Sequence, residues 1–332
     1  MSAIALRSPQ YKFAAADVGT PLSAKLTLSI DGTIEYTLVK PTTLNENMLW
    51  EIAELCRDFI DVTFNGTYTA ETLAIISTLT SHASTDGSGT ALTTDTFTDV
   101  GYDAYGTFME GDNPTVPFGS RPTWLVGGNP FHTGINDEYY IYVPTGAAGS
   151  VPYISATEVL GYSTYNTTDV ELVGTPAGIK MNIVRIDCTK YDYGHKITFV
   201  NKYGALQDLW FFLKSVNTTT KKQEQFQRNI VTSTGTYNVN THTKQDFNTI
   251  AKTNISLSSG FYPEWCNQWF EQLLLSEQVW LTRSVLINPT ADEVVPVNVT
   301  KSSMVKKTVL NDNLIEYTFD FSMSFDYINN VR

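Results

Sequence analysis

Residues 22–39 alternate plainly, with Leu22, Ala24, Leu26, Leu28 and Ile30 at every second position and small or polar side chains between them. That period of two predicts a strand with one buried face. Asp31-Gly32 follows as a type I′ turn pair, and Ile34, Tyr36 and Leu38 continue the alternation, so a hairpin is expected over 22–39. The period then changes. Asn45 or Asn47 is placed to cap a helix in which Leu49, Ile52, Ala53, Leu55, Cys56 and Phe59 recur at helical spacing and would pack on the hairpin. Asp61–Tyr68 reads as a further strand with a turn at Asn65-Gly66.

From about 81 to 178 the regular pattern gives way to stretches rich in Gly, Thr, Asp and Pro, such as STDGSGTALTTDTFTDVG and YGTFMEGDNPTVPFGSRP. These read as long loops, which in a compact domain usually serve function or form interfaces. Glu138–Val143 is the strand expected within this region, and VPTGAAGSVP reads as a surface turn or linker. Periodicity returns near 179. Ile179–Ile186, His195–Val200 and Leu209–Leu213 are expected strands, the last two joined by a bend at Tyr203-Gly204, while Thr218–Lys222 reads as a solvated loop. Pro263 opens an expected helix, PEWCNQWFEQLLLSE, with Trp265, Trp269 and Leu273 beside Cys266, Phe270 and Leu274 as its apolar stripe. A strand at Val279–Arg283 follows. Near the C-terminus Ile315, Tyr317, Phe319, Phe321, Met323 and Phe325 alternate with acidic and hydroxylated residues.

Composition agrees with strands. Of 332 residues 45 are Thr, aromatics make up 12% and charged residues only 17%, a balance that favours β structure and excludes coiled coils and acidic disordered tails. The expected fold class is mainly β: two β-sandwich-like modules, each with one short amphipathic helix, plus a loop-rich middle insertion. The boundaries read as an N-terminal module over 1–80, an insertion or interface region over 81–178 and a C-terminal module over 179–332. The formal charge of −12 argues against nucleic acid as a partner, since such affinity comes largely from cations meeting phosphates. No apolar run approaches a membrane span and the N-terminus lacks a hydrophobic signal core, so no membrane insertion is expected and synthesis in a cytoplasm is.

Chemistry is sparse. Cys56, Cys188 and Cys266 are widely spaced and read as small buried hydrophobes. His82, His132, His195 and His242 lie in no zinc-like spacing, and no nucleophile elbow, dinucleotide fingerprint or phosphate loop occurs. Acids concentrate at Asp86, Asp95, Asp99, Asp103, Glu110 and Asp112; they could pair for glycoside hydrolysis or hold calcium, but no calcium-loop frame is present, and the plainer reading is a solvated loop. No catalytic residues, cofactors or metal ligands are therefore expected. The candidate contact residues are the middle-region aromatics Trp124, Phe131, Tyr139, Tyr140, Tyr142 and Tyr153, with Tyr162 and Tyr165 beside them; tyrosine-rich surfaces suit protein or sugar contacts, and alternate tyrosines in YYIYVP equally suit a half-buried strand.

The segment HKITFVNKYGALQDLWFFLKS (195–215) resembles uncharacterised structural proteins of tailed bacteriophages, particularly marine phages and those infecting Bacteroidetes. The order of later segments adds to this: QEQFQRNI, YNVNTHTKQDFNTI, PEWCNQWFEQLLLSEQVWL, VVPVNVTKSS and LIEYTFDFSMSF, with LSAKLTLSIDGTIEYTLVKP and ENMLWEIAELCRDF near the N-terminus. The resemblance leaves out the middle region. It implies a non-enzymatic virion component of the tail tip, baseplate, adaptor or neck, assembled as an oligomeric ring, with copies of itself and other virion proteins as partners. The alternative is a receptor- or carbohydrate-binding module that meets a host-surface glycan or receptor through the middle-region aromatics.

Overall fold

A computed structural model describes residues 2–14, 21–41, 48–106, 123–125, 138–155, 159–173, 180–187, 194–283, 293–306 and 314–325. The first sheet has five strands in the order Ser2–Ala5, Ala91–Tyr102, Leu73–His82, Ser23–Ile30, Thr33–Pro41, antiparallel except for the first pair. The expected hairpin lies in it. Asp31 and Gly32 both have positive φ, +48° and +84°, as a type I′ turn requires. The Asp31 carboxylate also accepts a hydrogen bond from the Ala74 N–H at 2.8 Å, which ties the turn to the next strand. Ala24, Leu26, Leu28 and Ile30 are buried with Ile4, Leu6, Ile75 and Leu79, although Leu22 is exposed.

The helix expected after this hairpin is shorter than its apolar spacing suggests. Met48–Glu51 is a strand paired with Tyr11–Ala14, and only Ala53–Arg57 (α1) is helical. The Glu51 carboxylate marks the boundary: it accepts the Ala53 N–H at 2.8 Å and the Glu54 N–H at 3.3 Å, satisfying donors that begin a helix. Cys56 and Ile52 fill the gap above the sheet. The strand expected at 61–68 is irregular chain with a bend at Asn65-Gly66, where the Thr67 N–H bonds to the Asn65 side chain at 3.0 Å. The alternation of Val62 and Phe64 serves another purpose. Both pack against Leu206 and Trp280, far along the chain, with Phe64 and Trp280 ring centroids 5.9 Å apart.

The second large sheet has seven antiparallel strands in the order Leu206–Phe211, His195–Val200, Val279–Arg283, Glu293–Val299, Thr318–Met323, Lys244–Ser258, Ser215–Gln227. The terminal alternating strand is at its centre, with Phe319 and Phe321 fully buried, but Tyr317 leaves the ladder and Phe325 is exposed. Helix Asn267–Leu275 (α2), entered through Pro263 and a 3₁₀ turn at Glu264–Cys266, lays Trp269, Phe270 and Leu273 on this sheet. Trp265, assigned to the same stripe by spacing, is exposed.

Among its described residues the middle region holds more strand than its composition suggests. Ala91–Tyr102, expected as loop, is a strand of twelve residues in the N-terminal sheet, so the division at 80/81 falls within a hairpin. Glu138–Pro144 pairs in parallel with Lys180–Ile186, which also pairs with Glu171–Val173, so the division at 178 falls within one sheet. Tyr139, Ile141, Val143, Met181 and Ile183 share a core with Phe199, Leu209 and Phe211 of the seven-stranded sheet, which makes these strands the opposite layer of a sandwich. The fold is mainly β and sandwich-like.

One part-buried carboxylate joins all three parts of the chain. Asp208 accepts the Tyr68 hydroxyl at 2.5 Å, the Thr198 hydroxyl at 2.6 Å and the Ser150 N–H at 3.3 Å. Burial raises the Tyr68 phenol well above its ordinary pKa, and the negative charge of Asp208 adds to the effect, so Tyr68 remains a donor.

Candidate functional site

The aromatic side chains selected from the sequence are largely committed to packing. Trp124 is 1% exposed and meets Tyr153 edge-on, with centroids 5.6 Å apart. Tyr139 and Tyr165 are buried in the sandwich. Tyr142 is half-buried between Tyr262 and Trp265, at 5.8 and 6.1 Å. Tyr140 is 37% exposed, on the opposite face of its strand; Phe131 lies outside the described residues. The physical reason is register. In Glu138–Pro144 the alternate residues Tyr139, Ile141 and Val143 face the seven-stranded sheet, so a run that reads as an aromatic surface gives one of its three rings, Tyr139, to the core.

The acids do not form one site either. Asp99 is buried and pairs with Lys12 at 2.6 Å, and Asp103 receives Arg7 in a forked contact at 2.5 and 3.2 Å. Asp86 lies on an exposed turn, where the Ser88 and Ser84 hydroxyls hold its carboxyl down to about 2. Glu110 and Asp112 lie outside the described residues, as do His132 and Cys188. His82 and His242 are far apart in character, the first buried and the second exposed on a loop. Among the described residues no group of three His, Cys, Asp or Glu side chains comes together, and no helix is long and apolar enough to cross a membrane.

A cleft of about 520 Å³ lies between the N-terminal sheet and α2. Its walls are ion pairs: Arg7 bridges Asp103 and Glu277, the latter at 2.7 Å, and Lys306 meets Glu271 at 2.7 Å. Hydrogen bonding to Asp103 holds the Arg7 guanidinium above its ordinary pKa, so it stays charged. Ser276 turns its hydroxyl to the Val200 and Gln278 carbonyl oxygens, at 2.9 and 3.0 Å. These groups satisfy one another across a joint between modules.

The most unusual feature includes Thr218–Lys222, expected as a solvated loop and found within a long strand. Ser215–Gln227, a strand of 13 residues, is exposed along its whole length. It pairs with Lys244–Ser258, of 15 residues, which is paired on its other side only over Asn254–Ser258 among the described residues. Beyond that point the two strands form a free ribbon about 30 Å long at the usual rise per residue. Lys222 opposes Ile250 and Glu224 opposes Phe247, so the register shifts by a bulge in which Asn248 takes a positive φ of +51°. Phe226 and Phe247 pack edge-on at 5.7 Å outside the bulge, and both are exposed. Asp246 accepts Gln225 at 2.7 Å and pairs with Lys221 at 3.3 Å, which lowers its carboxyl pKa.

The tip, 228–243, is held by local bonds. The Arg228 N–H reaches the Thr243 carbonyl at 2.9 Å, Thr232 N–H reaches Thr236 at 2.8 Å, and Asn229 and Asn238 side chains cap short turns. It nevertheless presents Val231, Tyr237 and Val239 to solvent. The sequence carried no signal for this: Val216, Phe226, Phe247 and Ile250 are spaced through polar residues without a period, a pattern that reads as loop.

Comparison with protein-family models, with curated proteins and with solved structures gives no match for this chain.

Proposed function

We propose that the protein is a non-enzymatic structural component of a tailed phage virion, assembling as an oligomeric ring at the tail tip, baseplate, adaptor or neck. The observation that carries the assembly part of this reading is the free ribbon 215–258. A two-stranded ribbon bathed in water on both faces is marginally stable by itself, so a long one with exposed Phe, Tyr and Val is best explained by a protein partner that covers it. A ring uses one such arm per copy, each laid on the next copy. The virion part rests on the segment 195–215 and on the order of the segments around it.

Mass spectrometry of purified phage particles encoded with this chain tests the reading. Its peptides are expected in tail-bearing particles at several copies each. Absence from every particle fraction, with the chain abundant in the lysate, would contradict it.

A further inference from the structure

The ribbon and the N-terminal module of the same chain carry opposite charge. Residues 215–258 hold five of the 22 bases (Lys221, Lys222, Arg228, Lys244 and Lys252) and two of the 34 acids (Glu224 and Asp246), a formal +3, so the rest of the chain holds −15 of the −12 total. Residues 1–102, which span the N-terminal sheet, hold twelve acids against five bases, or −7.

On that module the charge has a definite place. Glu54 and Asp58 lie one helical turn apart at α1 and its end, both exposed, and Asp61 follows, exposed as well; the exposed Arg57 lies between them and Lys40 reaches the Leu49 carbonyl at 2.7 Å, so carboxylates outnumber bases there three to two. Apolar side chains sit among them. Phe59 is exposed and meets Tyr36 of the sheet's edge strand edge-on at 6.1 Å, while Phe13 and Leu49, opposite each other in the small sheet beside α1, are also exposed. The surface therefore offers a net negative charge around rings and aliphatic groups, and the ribbon, with five bases to two acids, a net positive one; its two acids, Glu224 and Asp246, lie beside Phe226 and Phe247, and Asp246 is paired with Lys221.

The geometry points to a head-to-tail contact in which the basic ribbon of one copy lies on the acidic, Phe59-bearing face of the N-terminal module of a second copy. This inference rests on the reading that the protein assembles, and it names the surface that receives the arm. Because arm and receiving face belong to different modules, each copy gives one and accepts one, which is the kind of contact that closes into a ring. The rings supply buried area, and the charges select partner and orientation.

Sedimentation velocity of the full chain tests it with Lys222→Glu/Arg228→Glu, with Glu54→Lys/Asp58→Lys, and with an equimolar mixture of the two; all four positions are exposed, and circular dichroism checks that each variant is folded. Each variant alone is expected to self-associate about tenfold more weakly or worse at low salt, and the wild type is expected to lose affinity as salt rises. The mixture is expected to recover, because the reversed ribbon of one variant meets the reversed face of the other and the remaining contacts keep their native signs. An oligomeric wild type whose association survives either reversal, or a mixture that does not recover, overturns this docking and leaves the assembly reading standing. A wild type that stays monomeric at every salt and concentration overturns both.

Discussion

Gly260 and Asp208 are the two residues on which the C-terminal sandwich depends most locally. Gly260 has φ +82°, and a Cβ there would overlap the Phe212 ring, so Gly260→Ala meets both backbone strain and a blocked core. We expect it to lower unfolding free energy in urea by about 3 kcal/mol or more. Asp208→Ala strands the Tyr68 and Thr198 hydroxyls and the Ser150 N–H in a buried joint, and is expected to cost about 2–4 kcal/mol by the same measurement. Cys56 gives a pH signature. Burial pushes its thiol from 9.0 up to about 12, so the unfolded chain ionises first as pH rises. This thiol's contribution is intact below pH 9 and is lost between 9 and about 12, where melting temperature is expected to fall. Burial raises Cys266 in the same direction. Mass mapping after alkylation at neutral pH should therefore find both thiols protected in the folded chain and modified in denaturant.

Among the elements, those whose sequence pattern and burial coincide were legible. The 22–39 hairpin, the strands at His195–Val200 and Val279–Arg283, the Pro263 helix start and the buried alternation at Phe319 and Phe321 all follow from local pattern plus one packed face. The failures share a cause, which is a partner distant in sequence. Residues 48–51 left the helical pattern for backbone bonds to 11–14, Val62 and Phe64 alternated to reach Trp280, and Tyr139 turned toward the opposite sheet. The ribbon was missed for the converse reason. It has no core, so no hydrophobic period announces it. That lack of a core also makes a prediction: replacing 220–252 by an Asn-Gly turn, which joins the paired residues Thr219 and Thr253, should leave the body folded with its melting temperature changed by only a few degrees, because Ala251 is the one buried residue removed. In the free wild type, trypsin is expected to cut first at Arg228 and Lys244, which flank the tip, and assembly should protect these sites.

At the scale of the whole molecule, the N-terminal sheet, the middle strands and the seven-stranded sheet meet through buried contacts: the Asp208 joint, the Arg7 ion pairs, and the cluster that brings Ala5, Tyr102, Ile154 and Tyr203 together. These contacts tie the body together, and the ribbon leaves it with both strands largely exposed. Of the middle aromatics, Trp124, Tyr139 and Tyr165 are buried, Tyr142, Tyr153 and Tyr162 are half-buried and Tyr140 is exposed. The central claim is that the ribbon makes the assembly. Cryo-electron microscopy of the purified full chain beside the 220–252 replacement tests it most directly: closed rings are expected for the first, with each ribbon lying on the next copy, and single folded copies for the second. Rings that form equally well without the ribbon, or a full chain seen only as single copies, would contradict it.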